Sequence, residues 1–167
     1  MTGVSSAKTV RILRELGITH VVTIPDGESR HLFEALNLDA EIDVISPTRE
    51  GEGLAIAAGL WVGGRKPLVI LQNTGLMEAG DALRGCGIGS DIPLLLLVGW
   101  RGYTGAMAGR LPMDSAYPFT EPLLEAWKVP YWRLMADQEL SVLVDMDRVA
   151  SETSKPAAVL FGGAFVP

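Results

Sequence analysis

The chain has 167 residues, 48% hydrophobic and 20% charged, which is enough apolar material for one globular domain and too much for a disordered segment. A formal net charge of −6 at pH 7 argues against a nucleic-acid partner, whose phosphates need a basic face. The one cysteine, Cys86, excludes an intrachain disulfide and a cysteine-built zinc site, and the longest apolar run, residues 92–98, is too short to span a bilayer. The opening Met-Thr-Gly-Val-Ser-Ser shows no basic-then-apolar signal, so a cytoplasmic protein is expected.

In chain order, Val10, Leu13 and Leu16 space one apolar stripe of a helix that Gly17 stops. Residues 20–24 form a short β-branched strand, and Pro25-Asp26-Gly27 is a turn by composition. Leu32, Phe33 and Leu36 mark a second helix, beginning near Glu28, before a strand at residues 42–45. Ser46 as cap and Pro47 at the first helical position predict the start of a third helix, which Gly63-Gly64 ends. Residues 68–71 are continuously apolar, as in a central strand buried on both faces. Asn73-Thr74-Gly75 makes a corner, a helix follows over about residues 76–84, and residues 93–98 form another buried strand closed by Gly99.

Residues 101–120 are rich in glycine and proline and lack periodicity, which predicts a long loop of the kind that often carries function. A short helix over 122–127, a strand over 131–134, a helix over 137–151 and a strand over 157–161 complete the chain. The last helix is expected to bury Leu140, Leu143, Val144 and Val149 on one side. This β-α alternation predicts an α/β fold, a three-layer sandwich whose mostly parallel central sheet is flanked by helices.

In such a sheet the carboxyl ends of all strands share one edge, where ligands bind. Four polar or glycine-rich corners should converge there: residues 25–29, 48–51, 72–75 and 99–102. Glu50 stands at the mouth of a small, apolar helix, and a glutamate there also complements the helix dipole; Glu52 suits that second role better. The small residues Gly51, Gly53, Ala55, Ala57 and Ala58 let a neighbour, by default another helix, approach closely. Asn73 and Asp26 read equally as a helix cap and a turn former. Arg30, His31, Arg49, Arg101 and Arg110 are candidate anion binders, each alone an ordinary surface cation. His20 and His31 have no partner at metal-ligand spacing, and Gly85-Cys86-Gly87-Ile88-Gly89 follows a helix where a dinucleotide loop requires a strand.

Four segments carry a resemblance in the same order along the chain. Thr48-Arg49-Glu50-Gly51-Glu52-Gly53 with Ala57-Ala58-Gly59 comes first, then Leu71-Gln72-Asn73-Thr74-Gly75-Leu76. Residues 92–102, ending in Gly99-Trp100-Arg101-Gly102, and Thr120-Glu121-Pro122-Leu123-Leu124 with Val129-Pro130-Tyr131 follow. Together they resemble the pyrimidine-binding domain of thiamine-diphosphate enzymes, nearest to the sulfopyruvate and phosphonopyruvate decarboxylase group. The resemblance implies that Glu50 is catalytic, its carboxylate bonding the aminopyrimidine ring of thiamine diphosphate so that the cofactor can lose a proton. It implies cofactor contacts for Asn73, Thr74 and Gly75, and substrate contacts for Asp26, Gly27, Arg49 and Arg101.

Such enzymes hold Mg2+ and the diphosphate through a Gly-Asp-Gly followed some thirty residues later by Asn. Gly80-Asp81-Ala82 does not match, so no metal ligand is assigned to this chain. The resemblance therefore implies that residues 1–167 form a pyrimidine-type domain without its diphosphate-binding counterpart. The expected enzyme is a hetero-oligomer built on α dimers, in which a β subunit carries Mg2+ and the diphosphate half of the site. A carboligase subunit, a non-catalytic partner protein and a piece of a longer single-chain enzyme are the alternatives. The chain departs from the family at Ile24-Pro25-Asp26-Gly27, at Thr74 and at Met77-Glu78-Ala79. Glu78 and Asp81 add negative charge that a dianionic substrate tolerates only if Arg30, Arg49 or Arg101 compensates.

Overall fold

A computed structural model describes residues 3–110 and 114–167. The chain opens with a two-residue strand, β1 (Val4–Ser5), and Ser5 then caps α1 (Ser6–Glu15), its hydroxyl accepting the Lys8 amide at 3.4 Å. Gly17, at φ +74°, stops that helix in the left-handed conformation glycine adopts without cost. β2 (His20–Thr23), α2 (Arg30–Asn37), β3 (Asp43–Ile45), α3 (Glu50–Val62) and β4 (Pro67–Gln72) follow. The second half runs through α4 (Asn73–Glu78), α5 (Gly80–Ala82), β5 (Leu95–Gly99), α6 (Tyr103–Met107) and α7 (Thr120–Ala126). It ends with β6 (Tyr131–Leu134), α8 (Ser141–Thr153), β7 (Ala157–Phe161) and β8 (Phe165–Val166).

Six strands form one sheet in the order β3-β2-β4-β5-β7-β6, with every neighbouring pair parallel. Side chains alternate across it. Val21, Leu68, Ile70, Leu97 and Phe161 meet α1, α2 and α8 through Leu13, Leu36 and Leu143. Val22, Val69, Leu71, Leu96 and Leu160 meet the opposite helices through Leu54, Leu76 and Leu124. The three-layer architecture and the central, doubly buried β4 and β5 agree with the sequence reading.

Several local expectations are corrected. The third helix begins at Glu50, not Pro47, because Arg49 is extended (φ −153°, ψ 157°). Thr48 rather than Ser46 is the residue engaged at this end: the Glu52 carboxylate accepts both its amide (2.8 Å) and its hydroxyl (2.7 Å). The helix after β4 starts at Asn73 itself, and beyond α5 residues Leu83–Ile88 wind as a π-helix in which Gly87 lies against Pro156. The 101–120 segment is not a structureless loop. It holds α6 and a single 3-10 turn, Tyr117–Phe119; residues 111–113 lie outside the described residues. Val144 is 46% exposed, and the buried face of α8 is Val142, Leu143, Met146 and Ala150, as a 3.6-residue period through Leu143 requires. β1 and β8, too short to show periodicity, pair in parallel beside the main sheet.

Candidate functional site

The crossover from β2 to β3 runs one way, and the next returns over β2 to place β4 on its other side. The chain then continues outward to β5, so the topological switch lies between β2 and β4. Glu50, the first residue of α3, lines a narrow crevice at that point with Thr23, Ile24, Pro47, Ile70 and Leu71. Its seat is shaped by an absence. A Cβ on Gly75 would stand 2.6 Å from both Cγ and Oε1 of Glu50. Only a residue without a side chain leaves room for the glutamate at the α4 turn.

The neighbouring carboxylates have structural work. Glu52 holds Thr48, whose hydroxyl and amide keep the Glu52 carboxyl below the usual range. Glu78, at the end of α4, accepts the Gly51 amide at 2.8 Å and pairs with Arg49, whose Nε donates at 2.9 Å; these bonds lower its carboxyl too. The negative charge that the sequence placed at Glu78 is therefore compensated by Arg49. The Glu50 carboxylate takes no part in this network.

The β4 and β5 corners are tied to each other, and the β2 corner is held from within. Asn73 is fully buried; its Nδ2 donates to the Arg101 carbonyl (3.1 Å) and the Thr120 hydroxyl (3.2 Å), and its Oδ1 accepts the Thr74 amide. Its amide group thus joins the β4 corner to the β5 corner, while Thr74 is exposed and Gly75 buried. Asp26 accepts the Glu28 and Ser29 amides at 2.7 and 2.9 Å and the Ser29 hydroxyl at 2.8 Å, shaping the first corner. Gly27 is exposed with open space around its α-carbon. The Arg101 Nε lies 3.0 Å from the nearly buried Asp114 carboxylate.

Two features escaped the sequence reading. Trp100 is buried, stacks on Tyr117 at 5.2 Å, packs on Tyr103 at 5.1 Å and lies under the Arg133 guanidinium; these partners are scattered along the chain with no local pattern. Glu28 is the second: burial, with the Asp26 charge, pushes its carboxyl up to about 7. An acid just before a helix gives no hint of that, because the burial comes from strands far along the sequence. Among the described residues no three His, Cys, Asp or Glu side chains gather as a metal-binding group, and no helix is long and apolar enough to cross a membrane.

Known proteins resemble this chain in sequence and in fold. The sulfopyruvate decarboxylase subunit alpha of Methanococcus maripaludis is 26% identical over 163 residues, covering 96% of each chain. The sulfopyruvate decarboxylase of Methanosarcina acetivorans is 29% identical over 92% of this chain and 38% of its own. Among solved structures, benzoylformate decarboxylase from Polynucleobacter necessarius superposes with a TM-score of 0.77 at 19% identity, a likeness of fold. This chain spans about a third of that protein, 32% of its length. Residues 6–117 match the model of the thiamine pyrophosphate enzyme N-terminal TPP binding domain, and the chain belongs to that family.

Proposed function

We propose that this chain is the pyrimidine-binding α subunit of a thiamine-diphosphate-dependent 2-oxo acid decarboxylase, acting on sulfopyruvate, phosphonopyruvate or a close relative. The observation that carries the assignment is Glu50. Its carboxylate stands at the switch point, seated on a position without a side chain and outside the ion pairs that occupy Glu52 and Glu78. Such a group can share a proton with a ring nitrogen brought against it. Thiamine diphosphate, when bound, supplies the electron sink for loss of CO2 from a 2-oxo acid. The chain's own residues orient the ring and hold the proton on the Glu50 carboxylate, and the apolar walls of Ile24, Ile70 and Leu71 exclude water from it.

Thr74 and Gly75 flank the ring, and Asn73 fixes their turn from within. Gly27 and Asp26 approach the substrate from the β2 corner. Arg49 and Arg101 offer it the guanidinium donors left over from their bonds to Glu78 and Asp114. Mg2+ and the diphosphate belong to a β subunit, in a cytoplasmic hetero-oligomer built on α dimers. Relatives described as subunit alpha, one matched over 96% of its length, support that division.

The test is reconstitution with the β subunit and measurement of CO2 release. Glu50→Gln is expected to lower turnover on the order of 10²–10⁴-fold. Turnover within a few-fold of wild type rejects the role given to Glu50. Products formed with an added aldehyde acceptor separate decarboxylation from carboligation.

A further inference from the structure

One carboxyl at the sheet edge has no part in the cofactor assignment. Glu28 leaves the β2 corner and reaches past the end of β4 to the end of β5. Its Oε2 lies 3.3 Å from where a Cβ on Gly99 would stand, beside the Phe161 ring. The residue is held from both sides: its amide donates to Asp26 Oδ1 at 2.7 Å, and its carbonyl accepts the Phe165 amide of β8 at 3.0 Å. Oε2 is nevertheless buried without a hydrogen-bond partner among the described residues. So is Oε1 of Gln72, whose partner in the sheet register is the same Gly99. Two buried oxygens without partners therefore belong to side chains at this edge, where Asn73 ties down Arg101. Buried acceptors left in this state call for a donor.

The charges around Glu28 explain which donor fits. Asp26 faces it from its own corner, Arg101 from the β5 corner and Asp114 from beyond α6. Asp114 already engages Arg101 at 3.0 Å, so Glu28 sits beside two carboxylates and one compensated guanidinium. An ionised Glu28 has no hydrogen-bond partner for Oε2 among the described residues and meets net negative charge. A substrate with a second acidic group adds still more. The group that can yield is Glu28 itself, by becoming a neutral carboxylic acid that donates a hydrogen bond.

We propose that Glu28 is a specificity-determining residue, which takes up one proton from solvent as a dianionic 2-oxo acid binds beside the β2 and β5 corners. The location of that substrate rests on the decarboxylase reading. The step forms one O–H bond on Glu28 and breaks none in the ligand. Its consequence is that the dianion binds better at lower pH, whereas a monoanion with the same carbon chain is less sensitive.

The test uses two measurements. First, the full chain labelled with 13C at glutamate side chains is titrated by NMR, with Glu28→Gln identifying the signal. Glu28 is expected to titrate near neutrality; titration in the ordinary carboxylate range overturns the proposal. Second, the reconstituted complex, loaded with thiamine diphosphate and Mg2+, is titrated calorimetrically with 3-sulfopropanoate and with propanoate in buffers of different ionisation enthalpy. For the dianion, uptake of about half a proton near pH 7.5 and a roughly five- to tenfold weakening of Kd between pH 6 and 8 are expected. Glu28→Gln should abolish the uptake and flatten the pH profile. Uptake that persists in Glu28→Gln, or is absent from a wild-type complex that still decarboxylates, overturns this proposal alone. A complex that releases no CO2 from any 2-oxo acid overturns the decarboxylase reading, and this proposal with it.

Discussion

Gly75 leaves vacant the volume that Glu50 fills. In most helix interiors Gly→Ala stabilises by about 0.5–1 kcal/mol, because alanine loses less backbone freedom on folding. At position 75 the new methyl would stand 2.6 Å from two Glu50 atoms, and relieving such overlap costs about 1–3 kcal/mol. The clash outweighs the propensity. Gly75→Ala is expected to lower the thermal midpoint and to reduce CO2 release toward the level of Glu50→Gln; unchanged turnover would show that Glu50 acts from elsewhere. Glu28 gives a second expectation at this scale. Its folded-state pKa, about 7, lies above the ordinary 4.5, so the folded form binds the extra proton. The stability linked to it is present below pH 4.5 and lost as pH rises through about 7. Glu28→Gln should therefore melt higher than wild type at pH 8.5 and close to it at pH 4.5, by scanning calorimetry.

Elements with a strong period were legible in the sequence; those defined by partners were not. The apolar runs of β4 and β5 and the stripe of α1 carry their own signal, since Leu68, Ile70, Leu95 and Leu97 must all be buried whichever neighbour covers them. The start of α3 misled because Ser46-Pro47 is a good local cap, and only the spatial meeting of Thr48 with Glu52 moves the boundary. The four corners were correctly read as lying on one edge, a consequence of parallel strands. How they are joined was not legible, because the Asn73 amide spans 28 residues to Arg101 and 47 to Thr120. Removing that tie leaves a buried hydroxyl and a carbonyl short of a donor, at about 1–3 kcal/mol. Asn73→Ala should shift the urea midpoint down accordingly with an unchanged m-value; a neutral effect would mean that the corners are held by the strands alone.

Over the whole molecule, the first and last described strands are brought together. β1 pairs with β8, the Ser6 hydroxyl donates to the Val166 carbonyl at 2.7 Å, and Phe165 is buried edge-on to Phe161 with centroids 4.9 Å apart. This pairing also reaches the β2 corner through the Phe165 amide. Phe165→Ala is expected to cost about 3–5 kcal/mol in chemical denaturation, a large fraction of a domain's total stability. A cost below about 1 kcal/mol would mark β8 as an ornament of the fold.

The bracket that Glu78 places on the first turn of α3 also bears on the order in which the molecule assembles. The Gly51 amide is one of the donors a helix start cannot satisfy by itself, and its acceptor lies 27 residues downstream. A nascent chain that has emerged only through β4 already contains Glu50 but not the carboxylate that fixes its turn. Closing that turn waits for α4 to dock, an ordering cost set by loop closure and met before the contact is gained. The acid at the switch point therefore has its turn fixed only once α4 stands against the start of α3.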